Sequence, residues 1–157
     1  VVLTHYGTVV FTTGGTYTWN LKGDSTAPNR AGKDYDQINV RSATPGNGKL
    51  DLDALTVNHK FNINVNIESG GTFNPNTTHT WQIIQTDNGF KMPVDFAGQF
   101  KDLFNVTVTG SSIPSSQFAI SQSGNNVVLT YTPVPEPATV LALGVGMLGL
   151  VRLRRRY

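Results

Sequence analysis

Seven residues constrain this chain more than any others. Phe61-Asn62-Ile63-Asn64-Val65-Asn66-Ile67 alternates without a break, apolar at the odd positions and asparagine at the even ones. Successive side chains of a strand point to opposite faces. A period of two therefore sets Phe61, Ile63, Val65 and Ile67 on one side and the three asparagines on the other. Slipping the register by one residue would expose all four apolar groups, so this strand has to lie against a core. The asparagine row suits the solvated outer surface of a solenoid or a sandwich.

The rest of the chain repeats the theme more weakly. Residues 1–11 read as one strand broken at Gly7, and Thr12–Gly15 as a turn. Thr16–Leu21 alternates Tyr17, Trp19 and Leu21 against Thr16, Thr18 and Asn20, a half-buried strand. Residues 22–33 are a polar loop. Tyr35–Val40 is a strand whose pattern slips by one residue, as at a bulge. Thr44–Gly48 turns, and Leu50–Val57 is a short strand followed by a bend. Thr78–Thr86 is a strand carrying Trp81, Ile83 and Ile84, and Asp87-Asn88-Gly89 marks a tight turn. Val94–Phe104 has a hint of helix, weakened by Gly98. Val106 and Val108 begin another strand, and Phe118, Ile120 and Val127–Tyr131 form a hairpin around residues 123–126.

Composition agrees with an all-β fold. Thr, Asn, Gly and Ser exceed a third of the 157 residues, while charged residues are 14%. The absence of cysteine excludes disulfides and thiolate metal sites. The net charge of +2 misleads, because four of the twelve basic residues are Arg152, Arg154, Arg155 and Arg156. Residues 1–137 carry eight basic and ten acidic groups, so the basic balance does not point to nucleic acid.

The C-terminal tail has three parts in order: Val134-Pro135-Glu136-Pro137, an apolar run over residues 138–151, and a basic end over residues 152–157. The prolines fix φ and lack an N–H donor, so this piece is expected to be extended. The run contains no charge. As a helix its fourteen residues rise about 21 Å, short of a hydrocarbon core of roughly 30 Å. Leu153 and snorkelling arginine stems lengthen that span. The arginines match the charge excess of a cytoplasmic flank, which sets everything before Pro135 outside. No signal peptide is visible at Val1, and the chain is expected to be the C-terminal fragment of a longer exported precursor.

With these parts at the C-terminus, residues 134–157 resemble the PEP-CTERM sorting signals of exported Gram-negative proteins. The resemblance implies recognition and processing by an exosortase, with transient residence in the inner membrane. It makes Pro135, Glu136 and Pro137 the sorting motif and Arg152, Arg154, Arg155 and Arg156 the membrane stop. Glu136, the sole charge in the motif, is the candidate recognition handle. A second resemblance rests on Gly15–Trp19, Asp34–Val40, Thr80–Ile84 and Val127–Thr132. These segments look like the C-terminal region that closes autotransporter-associated β-strand repeats. Strand spacing alone satisfies both a parallel β-solenoid end and a β-sandwich; this second resemblance implies the solenoid.

The expected organisation is thus all-β: residues 1–133 form the C-terminal end of a parallel β-solenoid (alternative, a β-sandwich). Residues 134–157 form the sorting signal, with one short transmembrane helix over 138–151. No enzyme chemistry, cofactor or metal is expected. Asp34 with Asp36, and Asp51 with Asp53, have strand spacing that puts each pair on one face. They are candidates for calcium, but more ordinary as solvated or turn-capping groups. His5, His59 and His79 lack ligand spacing. Trp19, Tyr17, Tyr35 and Trp81 would stack sugars if exposed, but aromatics on alternating strands are more often core. The expected role is structural or adhesive at the cell surface or in an extracellular matrix, with exopolysaccharide a candidate partner and nucleic acid excluded. The alternative is a carbohydrate-binding or accessory module of a polysaccharide-active enzyme.

Overall fold

A computed structural model describes residues 1–24, 27 and 30–134. Among these residues the strands are β1 (Val2–Tyr6), β2 (Val9–Val10), β3 (Thr16–Leu21), β4 (Gln37–Arg41), β5 (Leu50–Asp51) and β6 (Phe61–Ile67). They continue as β7 (His79–Thr86), β8 (Phe90–Lys91), β9 (Phe104–Thr109), β10 (Phe118–Ser123) and β11 (Asn126–Tyr131). No α-helix occurs among the described residues. The helical hint over residues 94–104 reduces to a 3-10 turn at Phe100–Leu103.

The strands visit three sheets in rotation. β1, β4 and β7 run parallel in a first sheet, β2, β5 and β8 in a second, and β3, β6 and β9 in a third. The rotation then ends. β11 pairs antiparallel with β7, and β10 antiparallel with β11, so a hairpin widens the first sheet to five strands. Among the described residues no sheet closes on itself. The sandwich alternative would pair two antiparallel sheets face to face; three parallel ladders stand in their place.

The corners explain where the sequence pattern slips. Gly7, at φ 126°, takes a conformation open to glycine and turns the chain from the first sheet to the second. The single broken strand expected over residues 1–11 is therefore two strands in two sheets. Asp87 and Asn88 bend the chain between β7 and β8 in the same way. The slip read within Tyr35–Val40 arises because β4 starts only at Gln37, while Tyr35 belongs to a separate bridge with Leu21. The paired isoleucines of β7 have another cause. Val127 faces Ile84 and Val128 faces Gln82, so Ile83 is the extra residue of a bulge.

Side chains in register stack in rows that fill the interior. Tyr17, Ile63 and Val106 form one row of the third sheet, and Trp19, Val65 and Val108 the next. Val9, Leu50 and Phe90 form a row of the second sheet. The strand read most firmly from sequence behaves as its alternation demands: Phe61, Ile63, Val65 and Ile67 are all buried, and each asparagine between them faces outward. Burying one such side chain contributes on the order of 1.5–3 kcal/mol. Trp19 and Trp81, both fully buried, meet across the interior with ring centroids 5.3 Å apart. Phe11 stacks on Phe61 at 3.7 Å.

Candidate functional site

The handover from β domain to tail is built by β11. This strand lies between β7 and β10, so its backbone is paired on both sides. Tyr131, its last residue, is buried, and its hydroxyl donates to the Pro75 carbonyl at 2.8 Å. The Thr132 N–H donates to the Gln117 carbonyl at 2.9 Å. Two residues later Val134 is 66% exposed. The chain therefore leaves a locked strand and reaches the surface within three residues. Pro135, Glu136, Pro137, the run 138–151 and Arg152, Arg154, Arg155 and Arg156 lie outside the described residues. The expected transmembrane helix lies there too. No helix among the described residues is long and apolar enough to cross a membrane.

The aspartate pairs part company. Arg30 engages the Asp34 carboxylate with two bonds, at 2.6 and 2.8 Å. Those bonds hold the Asp34 carboxyl below the usual carboxylate range. Asp36 instead accepts from the Val1 backbone nitrogen and the Asn20 side chain, so Asp34 and Asp36 do not share a coordination point. Asp51 and Asp53 do converge, but on Lys91, whose Nζ lies 3.4 and 2.8 Å from their oxygens. The bond to Asp53 leads in raising the Lys91 pKa. Asp87 accepts from the Ser42 N–H and from Arg41, and these bonds lower its pKa. No three His, Asp or Glu side chains among the described residues gather as metal ligands.

The histidines are dispersed. His5 is on exposed β1, and His59 bonds its own turn through Thr56. His79 is buried, stacked 5.2 Å from Trp81, with Thr77 Oγ1 2.7 Å from Nε2. The aromatic platform does not reach the surface. Trp19, Trp81 and Tyr35 are core, and Trp19 Nε1 donates to the Asp36 carbonyl at 2.6 Å. Tyr17 is mostly buried, and desolvation raises its pKa well above the ordinary phenol value.

The third sheet presents something the sequence revealed only in part. Register aligns the outward residues into a grid of three by three: Thr16, Thr18 and Asn20; Asn62, Asn64 and Asn66; Asn105, Thr107 and Thr109. Cross-strand bonds tie it together. Asn66 Nδ2 donates to Asn20 Oδ1 at 2.8 Å, Asn105 Nδ2 to Asn62 Oδ1 at 3.1 Å, and Thr107 Oγ1 to Asn64 Oδ1 at 3.2 Å. The asparagine row of β6 was legible. Its flanking rows were also written as alternate Thr and Asn, but nothing local said that they lie alongside.

Comparison with known proteins bears on the tail. Residues 133–156 match the PEP-CTERM protein-sorting motif. That motif implies an exported protein whose sorting depends on exosortase and whose processing takes place at the membrane. No curated protein and no solved structure matches the chain. The resemblance of residues 15–133 to autotransporter-associated repeat proteins is not supported.

Proposed function

We propose that this chain is a structural protein of the cell surface or extracellular matrix, released from the membrane through its C-terminal signal. Residues 1–133 are, in this reading, the C-terminal end of a parallel β-solenoid that continues upstream. The match at residues 133–156 carries the sorting part of the proposal. Three parallel ladders visited in rotation support the solenoid, and the hairpin that ends the rotation supports its being an end.

The junction suits such processing. Peptide-bond cleavage needs backbone that an enzyme can reach, and Val134 is already exposed while β11 is paired on both sides. Severing the chain beyond Val134 would thus leave β1 to β11 intact in their sheets. Glu136, the one carboxylate near the junction prolines, is the recognition handle in this reading, while Arg152, Arg154, Arg155 and Arg156 hold the cytoplasmic flank.

Mass spectrometry of the mature protein from its exosortase-bearing host tests this. The expected product ends near Pro137 and is recovered outside the inner membrane. Glu136→Ala should insert normally and accumulate unprocessed. A mature protein that still ends at Tyr157 in the inner membrane would reduce the tail to an anchor.

A further inference from the structure

We infer that the outer face of the third sheet, with the open depression at its edge, is a binding surface for a neutral polysaccharide. It is independent of the sorting signal and of any aromatic platform.

Charge is the first observation. The second sheet turns Asp51 and Lys91 outward, and Arg41 at the end of β4 bonds Asp87 and Gln85. The nine outward positions of the third sheet hold only threonine and asparagine. An acidic or basic polymer finds no counter-charge at these nine positions; the Lys22–Glu68 pair at the sheet edge is mutually neutralised. A neutral one gives up no ion hydration to lie against it.

Chemistry is the second. A sugar hydroxyl is both donor and acceptor, and so are the threonine hydroxyl and the asparagine amide. The ladder bonds use only part of this capacity: an amide has two N–H donors and a carbonyl with two lone pairs. Asn64 Oδ1, for example, accepts from Thr107 and Thr109, leaving its amide N–H groups for a ligand. These bonds also hold the side chains in place before binding, which lowers the entropy lost on association. Strand spacing of about 4.8 Å and an i to i+2 advance of about 6.7 Å repeat the polar groups in two directions. A polymer of identical sugar units presents its hydroxyls with a repeat too.

Shape is the third. The grid runs into a shallow, open depression of about 340 Å³ lined by Asn66, Ile67, Glu68, Ser69 and Gly110. Asn66 belongs to both. Glu68 is 3.3 Å from Lys22, so its charge is partnered, and its carboxylate keeps acceptor sites for vicinal hydroxyls. The flat face and this recess together give a polymer a track and a place to seat one unit.

Affinity electrophoresis of the full chain in mild detergent tests the proposal. Gels are cast with hydroxyethylcellulose, dextran or galactomannan, with alginate as the acidic comparison. At least one neutral polymer should retard the chain, with alginate having no effect. Thr107→Lys and Thr18→Arg, both at exposed positions, should each weaken that retardation about tenfold in apparent Kd. Lys91→Ala, on the second sheet, should leave it unchanged. A circular dichroism spectrum matching wild type shows each variant to be folded. Retardation by none of the neutral polymers, retardation by alginate alone, or folded third-sheet variants that bind like wild type would each overturn the proposal.

Discussion

The first sheet ends differently on its two sides. Among the described residues β1, on one side, pairs with β4 alone, all five of its residues are exposed, and Leu3 is 59% accessible. On the other, β11 and β10 fold back as a hairpin and bury Phe118, Ile120, Leu129 and Tyr131. Leu3, Ile38, Ile84 and Val127 stand in one row across this sheet, yet only Leu3 is left uncovered. Residue type does not separate them; position in the stack does. A parallel strand offers its open edge to another parallel strand, whereas an antiparallel hairpin reverses the chain and halts the progression. The polar outer end of β10 (Ser121, Gln122, Ser123) blunts the edge that the hairpin leaves.

Truncating one leucine at each end of the sheet tests the difference most strongly. Leu129→Ala, between Trp81 and Ile120, should cost about 2–5 kcal/mol of unfolding free energy. Leu3→Ala should cost no more than about 0.5 kcal/mol. Urea titration of both variants gives the two values, and similar losses would abolish the contrast between the ends.

Backbone strain sharpens it. Gly124 closes the hairpin at φ 56°, with open space where a Cβ would sit. Gly124→Val should therefore lose about 1–2 kcal/mol from conformation alone, and Gly124→Asn should recover most of it. Thermal melts of the two variants provide the check.

Smaller still is the ladder of the third sheet. Asn64→Ala removes the acceptor shared by Thr107 and Thr109 and should cost about 0.2–1 kcal/mol. A matching loss in the double mutant Asn64→Ala/Thr107→Ala, rather than the sum of two losses, would locate the effect in the cross-strand bond.

The smallest effect is electrostatic. Asp34 and Asp87 both have lowered pKa values in the fold, chiefly through the bonds from Arg30 and from the Ser42 N–H. A carboxyl held low in the native state contributes stability above its unfolded value. That contribution disappears as pH falls from about 4 through the folded value. Both groups are at the surface, so the effect is slight and screened by salt. Asp34→Asn and Asp87→Asn should flatten the acid limb of a plot of denaturation midpoint against pH. An unchanged limb in both would show the bonds to be without energetic weight.

Strand identity was largely readable from local pattern. Thr16–Leu21 and Phe61–Ile67 have the bounds that alternation gave them, and the terminal hairpin turns where Ser123–Asn126 placed it. The rotation among sheets was not readable as a repeat. Val2 pairs with Gln37, 35 residues on, Leu50 with Phe90, 40 on, and Thr16 with Asn62, 46 on. Corners of unequal length destroy any fixed sequence period while leaving the strand rows aligned. The polar grid was hidden for the same reason. Local alternation says which way Asn64 points, but not that Thr18 and Thr107 flank it.

By itself, then, the sequence determined the β periodicity, the inward side of β6 and the sorting signal at residues 133–156, because each depends on neighbours within a few residues along the chain. Only the tertiary structure decided which strands lie together, that Asp51 and Asp53 share Lys91, and that the tryptophans meet in the core. Apart from the terminal hairpin, those outcomes join residues 35 or more positions apart, and hydrogen-bond register and packing, rather than local propensity, bring such distant residues into contact.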